Sequence, residues 1–144
     1  MTGRISLVTL GVADLERASE FYTALGWERS SASVAGEVTF FRSGTAVLSL
    51  WSWSSLAADA QLAPPHSPPD GFGGITLAAN FESPEEVDRV LARAAELGAT
   101  ILKPGQATEW GGYHGHFTDL DGHCWEIAHN PGFPLTAEGR IELP

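Results

Sequence analysis

A single cysteine, Cys124, stands among the 144 residues, which excludes an internal disulfide and makes a reducing compartment the natural setting. Basic residues are scarce as well: 8 Lys and Arg face 18 Asp and Glu, a formal net charge of -10. An excess of that sign repels phosphate backbones and anionic lipid headgroups, so neither nucleic acid nor a membrane surface is an expected partner. The same field attracts cationic ligands, although solubility alone accounts for it equally well. No apolar run approaches the ~20 residues of a bilayer span. Residues 1–10 lack the basic-then-apolar layout and small-residue cleavage site of a secretion signal. The expected location is therefore the cytoplasm.

What is present is an ordinary globular composition, 43% hydrophobic and 18% charged, in a chain of one-domain length that needs neither disulfides nor a structural metal to fold. Alternating, β-branched residues from Ile5 to Val12 predict a strand. Asp14 is placed to cap a helix whose apolar face is Leu15, Ala18, Phe21, Tyr22 and Leu25, and Gly26 stops it. Trp27–Ser31, Glu37–Arg42 and Thr45–Trp53 read as three further strands, the last two joined by a turn at Ser43-Gly44. From Ser54 to Gly71 the texture turns to Ala, Ser and Pro, including Pro64-Pro65-His66-Ser67-Pro68-Pro69, which reads as a linker or a lid.

The pattern then begins again. Gly74–Ala79 is an expected strand. Ser83-Pro84-Glu85-Glu86 is a capping box opening a helix through Leu97, stopped by Gly98. Thr100–Lys103, Tyr113–Thr118 and Cys124–His129 complete a second set of strands. A shift of 72 residues places Leu15 on Val87, Ala18 on Val90, Leu25 on Leu97 and Gly26 on Gly98. The expectation is one α+β domain over 1–144, with module one at about 4–53, a linker at 54–72, module two at about 73–130 and a tail at 131–144.

Three stretches carry a family resemblance: Val8-Thr9-Leu10-Gly11-Val12-Ala13-Asp14-Leu15; Phe21-Tyr22 with Leu25-Gly26-Trp27; and Phe117-Thr118-Asp119-Leu120-Asp121-Gly122-His123-Cys124-Trp125-Glu126-Ile127. In this order, around a doubled βαβββ pattern, the chain resembles the vicinal oxygen chelate superfamily of glyoxalase I, bleomycin resistance proteins and extradiol dioxygenases. The resemblance implies paired βαβββ modules forming a cupped, mixed eight-stranded sheet with helices outside, a small-molecule ligand inside the cup, and a homodimer. It also implies four metal-ligand slots, which fall here on Leu7, Ser49, Gly74 and Glu126. Only Glu126 is a good ligand, and one carboxylate does not hold a divalent ion against water. The expectation is therefore no cofactor and no inherited metal.

Strand alternation suggests what the cup holds instead. Residues 115–127 read as a hairpin turning at Asp119-Leu120-Asp121-Gly122-His123; with Asp121 at its centre, His116 opposes Glu126, Phe117 opposes Trp125 and Thr118 opposes Cys124. Phe117, Trp125 and Ile127 then face the helix-packed core, while His114, His116, Cys124 and Glu126 face the cup. Three readings of these polar residues stay open. Glu126 and His116 form an acid/base pair, with His116 titrating above its ordinary value; or His114, His116 and Glu126 form a new metal triad, although residues two apart on a strand lie about 7 Å apart; or all are polar residues on a solvated sheet end.

The same alternation places Trp51 and Trp53 beside Ser49 on the cup side and leaves Leu48 and Leu50 for the core. Trp51, Trp53 and Trp110, the last in the Gly-flanked loop Glu109-Trp110-Gly111-Gly112, are candidate walls for a planar ligand. His66, His123 and His129 read as structural or solvated, and Cys124 lacks a neighbour in sequence that would activate it. Two function classes result: a protein that binds and sequesters a planar small molecule, cationic if the acidity of the chain selects it, without metal, or an enzyme of lyase, isomerase or dioxygenase type using Glu126 with His116 as an acid/base pair or as metal ligands.

Overall fold

Short local signals set the ends of the two long helices. In the computed structural model, which describes residues 3–44, 46–64 and 71–143, strand β1 (Leu7–Val12) leads to helix α1 (Leu15–Ala24). The Asp14 carboxylate caps α1 by accepting from Arg17 N at 3.0 Å. At its other end Gly26 takes φ 110°, and its N–H and that of Trp27 donate to the carbonyls of Thr23 and Tyr22 at 3.0 and 2.9 Å. Strands β2 (Glu28–Arg29), β3 (Val38–Arg42) and β4 (Val47–Ser52) follow. They form a four-stranded sheet of order β1-β4-β3-β2, parallel between β1 and β4 and antiparallel elsewhere. Parallel pairing is possible here because α1 and two strands intervene between β1 and β4.

One face of this sheet is the core of the first unit, Met1–Asp70. Leu10, Val12, Phe41, Leu48 and Leu50 are buried with Phe21 and Tyr22 of α1. The other face carries Leu7, Thr9, Ser49 and Trp51, as the register of β1 on β4 requires. The expected strand ending at Trp53 is shorter. Ser52 caps a new helix, α2 (Trp53–Asp59), by accepting from Ser55 N at 3.1 Å, so part of the presumed linker is helical. Thr45 and the Pro65–Pro69 run lie outside the described residues.

The second unit, Gly71–Pro144, repeats the design. Strand β5 (Thr76–Asn80) leads to α3 (Pro84–Glu96), then β6 (Thr100–Ala107), β7 (Tyr113–Thr118) and β8 (Cys124–His129). The order is again β5-β8-β7-β6, with β5 parallel to β8. Ser83 Oγ accepts from Glu86 N, while the Glu86 carboxylate accepts from Glu82 N at 2.9 Å, one residue outside the expected capping-box partner. The 72-residue shift aligns the helix stops but not the starts, because α3 has 13 residues and α1 has 10. Val87, Leu91 and Ala94 of α3 pack on Phe117, Trp125 and Ile127, whose paired aromatic rings stack with centroids 6.4 Å apart. Among the described residues, eight strands in two mixed sheets and three helices constitute the α+β architecture expected from the repeat.

Candidate functional site

The site begins with a turn. After β7, the buried Asp119 carboxylate accepts from Asp121 N at 3.0 Å and His123 N at 2.8 Å, and Asp119 N donates to His123 O at 3.0 Å. Gly122 supplies φ 87°, a conformation that a side chain would strain. This fixes the register, placing His116 opposite Glu126, Phe117 opposite Trp125 and Thr118 opposite Cys124, as the hairpin reading expects. Phe117, Trp125 and Ile127 take the α3 face. Glu126, His114 and His116 share the other.

Direct opposition does not decide the pairing. Glu126 Oε1 bonds Nδ1 of His114, its diagonal neighbour, at 2.8 Å, whereas Oε2 lies 4.0 Å from His116 Nε2, outside hydrogen-bond range. The two imidazoles meet edge to face, their centroids 5.1 Å apart and closer than their backbone spacing suggests. At 17% and 29% side-chain exposure, His114 and Glu126 are partly desolvated yet reachable by a ligand.

A fourth residue joins them. Lys103 Nζ lies 2.9 Å from His114 Nε2. The sequence pattern ends this strand at Lys103, but β6 continues to Ala107 through irregular pairing on both sides of Lys103, where Pro104 and Gly105 are accommodated. Such irregularities re-aim a side chain, and here they set Lys103 across from His116. An ammonium has only donors, so His114 Nε2 must accept and Nδ1 must carry the hydrogen it donates to Glu126. The result is a directed chain, Lys103 to His114 to Glu126. Its signal in the sequence is plain once looked for: Lys103 is the only lysine.

The environment of His116 runs against the expected raised titration. Burial pushes its imidazole below the ordinary value, and although Glu126 pulls it upward, His114 and Lys103 press it down further. His116 is thus held toward its neutral form, with a ring nitrogen able to accept a proton. Trp110, 53% exposed, turns back over Gly112 and meets the His114 ring edge to face at 6.0 Å. The Thr108 hydroxyl accepts from Gly112 N at 2.9 Å and holds that loop.

The remaining candidates are dispersed. Ser49 is fully buried and shares a 2.6 Å hydroxyl hydrogen bond with Thr9. Leu7 lies exposed at the start of β1. Gly74 precedes β5, at φ 81°, rather than starting it; the residue standing to the Ser83 cap as Leu7 stands to Asp14 is Thr76. Trp51 is half-buried beside Ser49 on the face away from α1. Trp53 is in α2, not a strand, and its ring fills the space over Gly11 where a side chain would stand. His129 donates or accepts nothing at the cluster; its Nδ1 bonds Phe81 O at 3.0 Å. Cys124 is half-buried opposite Thr118 and on the register of Thr76.

His114, His116 and Glu126 offer ligand atoms all within 4.8 Å of one another, a donor set suited in kind to a first-row transition metal. In this structure part of that set is already in use. Both His114 nitrogens are engaged, one by an ammonium that repels any arriving cation and the other by the carboxylate a metal would need.

Comparison with known proteins agrees with this architecture. The profile of the Glyoxalase/Bleomycin resistance protein/Dioxygenase superfamily matches residues 4–127, and the chain belongs to that superfamily. A glyoxalase-related enzyme from Fulvimarina pelagi is 33% identical, with TM-score 0.87 and 97% of each chain covered. A glyoxalase/bleomycin resistance protein/dioxygenase from Nocardioides is 25% identical, with TM-score 0.73 over 90% of this chain and 84% of that one. A lactoylglutathione lyase from Agrobacterium tumefaciens shares the fold at 23% identity and TM-score 0.67, over 90% of this chain and 96% of that one. No curated protein sequence matches. Among the described residues no helix is long and apolar enough to cross a membrane.

Proposed function

We propose that this chain binds a small, planar organic molecule against the Lys103, His114 and Glu126 face of its second sheet, and does so without a metal. The observation that carries the reading is the ammonium of Lys103 at His114 Nε2, the position a metal would need. Trp110, half-exposed and edge-on to His114, supplies an aromatic surface on which a planar ligand can stack. A catalytic version is favoured by His116, whose suppressed protonation suits a general base, and by the description of the 33% identical Fulvimarina pelagi structure as a glyoxalase-related enzyme. In that version His116 removes a proton from the bound molecule while Lys103, held at one hydrogen by His114, meets an adjacent polar group with the others. Trp51, with Ser49 and Leu7 on the same face of the first unit's sheet, is a candidate contact for a ligand at that unit, while Trp53 packs over Gly11 and Gly74 precedes β5.

The test is metal content and metal response. Protein purified without chelator should carry no stoichiometric metal, and nickel, zinc, iron or manganese at micromolar concentration should leave its melting temperature within about a degree. A true site at a hundred times its dissociation constant stabilises by about 2.7 kcal/mol. A rise of several degrees with one ion contradicts the reading.

A further inference from the structure

Lys103 is the sole lysine in a chain with 18 acidic residues, yet among the described residues its ammonium lies within ion-pair distance of no carboxylate. Its partner is an imidazole, and a neutral one, because the hydrogen of that imidazole is on the nitrogen facing Glu126. A half-buried cation that satisfies one of its three hydrogens on a neutral group retains most of its demand for negative charge. Glu126 does not meet that demand: two hydrogen bonds and the width of an imidazole ring separate the carboxylate from the ammonium. Lys103 is also held in place, because the irregular pairing on either side of it directs the side chain onto the sheet face and His114 fixes its end.

We propose that Lys103 is the anchor for an anionic oxygen of the ligand, so that the molecule bound at this face is a small organic carboxylate or phosphate. This rests on the reading that a small molecule binds there, and it names the chemical class. Two ammonium hydrogens remain to meet two oxygens of such a group, in a place where charge-assisted hydrogen bonds are short and strong. The overall charge of -10 suggests the opposite preference at long range. That field is screened beyond about 8 Å at physiological ionic strength, whereas the contact with Lys103 is made at hydrogen-bond distance. The global charge thus slows the approach of an anion and the local cation decides its binding. Glu126 Oε2, whose fellow oxygen is bonded to His114, completes the selection by favouring a ligand with a hydroxyl or N–H beside its anionic end.

Having one lysine makes the test direct. Limited acetylation with an N-hydroxysuccinimide ester, read by peptide mass spectrometry, reports on Lys103 with the N-terminal amine as an internal control. Benzoate and phenyl phosphate serve as anionic probes and benzamide as the neutral one. The anions should slow acetylation of Lys103 several-fold relative to the N-terminus, and benzamide should not; whichever anion protects more identifies carboxylate or phosphate as the better match. In ligand-observed NMR, Lys103→Gln should weaken anion binding by at least about tenfold, while Lys103→Arg retains most of it. Circular dichroism of both variants confirms that they fold. Equal protection by benzamide, no protection by either anion, or unchanged affinity in folded Lys103→Gln overturns the inference. Metal-induced stabilisation instead defeats the metal-free reading, so the two fail separately.

Discussion

Replacing Asp119 by alanine removes the device that sets the register of the whole site. Asp119 is 6% exposed, and its carboxylate accepts two backbone hydrogen bonds, from Asp121 N at 3.0 Å and His123 N at 2.8 Å. Hydrogen bonds to a charged acceptor contribute about 1.5–3 kcal/mol each, and two that share one carboxylate are not fully additive. Water reaches the two amides freed at this turn, so the expected loss is about 2–4 kcal/mol. In a chain of this length that corresponds to a fall of roughly 6–12 °C in melting temperature. Asp119→Asn keeps an oxygen at Oδ1, which accepts both bonds, and removes only the charge; because a hydrogen bond to a neutral acceptor contributes about half as much, it should lose about half as much. Urea titration and thermal melts followed by circular dichroism measure both. A cost below about 0.5 kcal/mol for Asp119→Ala would mean that the turn forms without its carboxylate, and the account of how His116 comes to oppose Glu126 would be refuted.

Gly11→Ala should destabilise by about 1–3 kcal/mol, because a Cβ there meets three Trp53 ring atoms at 2.5–3.0 Å; a neutral substitution in a urea melt would show that Trp53 is not packed on β1. For His116, NMR titration should find a value below the ordinary imidazole one of about 6.5, lowered further by Glu126→Gln and raised by Lys103→Gln. Because its folded value is depressed, His116 contributes stability that is present above about pH 6.5 and lost as pH falls through the folded value. Titration at or above the ordinary value would show that burial and the neighbouring cation do not outweigh Glu126.

The hairpin that carries the site was legible residue by residue. Alternation fixed the bounds of β7 and β8, and the Asp-Leu-Asp-Gly turn fixed their pairing. Helix caps at Asp14 and Ser83 and stops at Gly26 and Gly98 were equally readable, since these are local backbone requirements. Hydrogen-bond partners were not. Opposition on the register suggested His116 for Glu126, but side chains lean along strands and the carboxylate takes the diagonal His114. Lys103 was hidden for a related reason: Pro104-Gly105 looks like the end of a strand, whereas the strand absorbs both and uses the irregularity to aim the lysine. Trp53 read as a strand residue because its aromatic neighbours suit a strand, yet Ser52 caps a helix at that point.

The directed chain from Lys103 through His114 to Glu126 is read from the side-chain nitrogen spectrum of His114. In a long-range proton–nitrogen correlation at neutral pH, that chain requires the tautomer with hydrogen on Nδ1 and a bare, accepting Nε2, with the Nε2 signal shifting in Lys103→Gln and staying in place when zinc is added. Hydrogen on Nε2, or an Nε2 signal that moves on addition of zinc and is indifferent to Lys103, would mean that Lys103 does not hold His114 and that the site takes a metal.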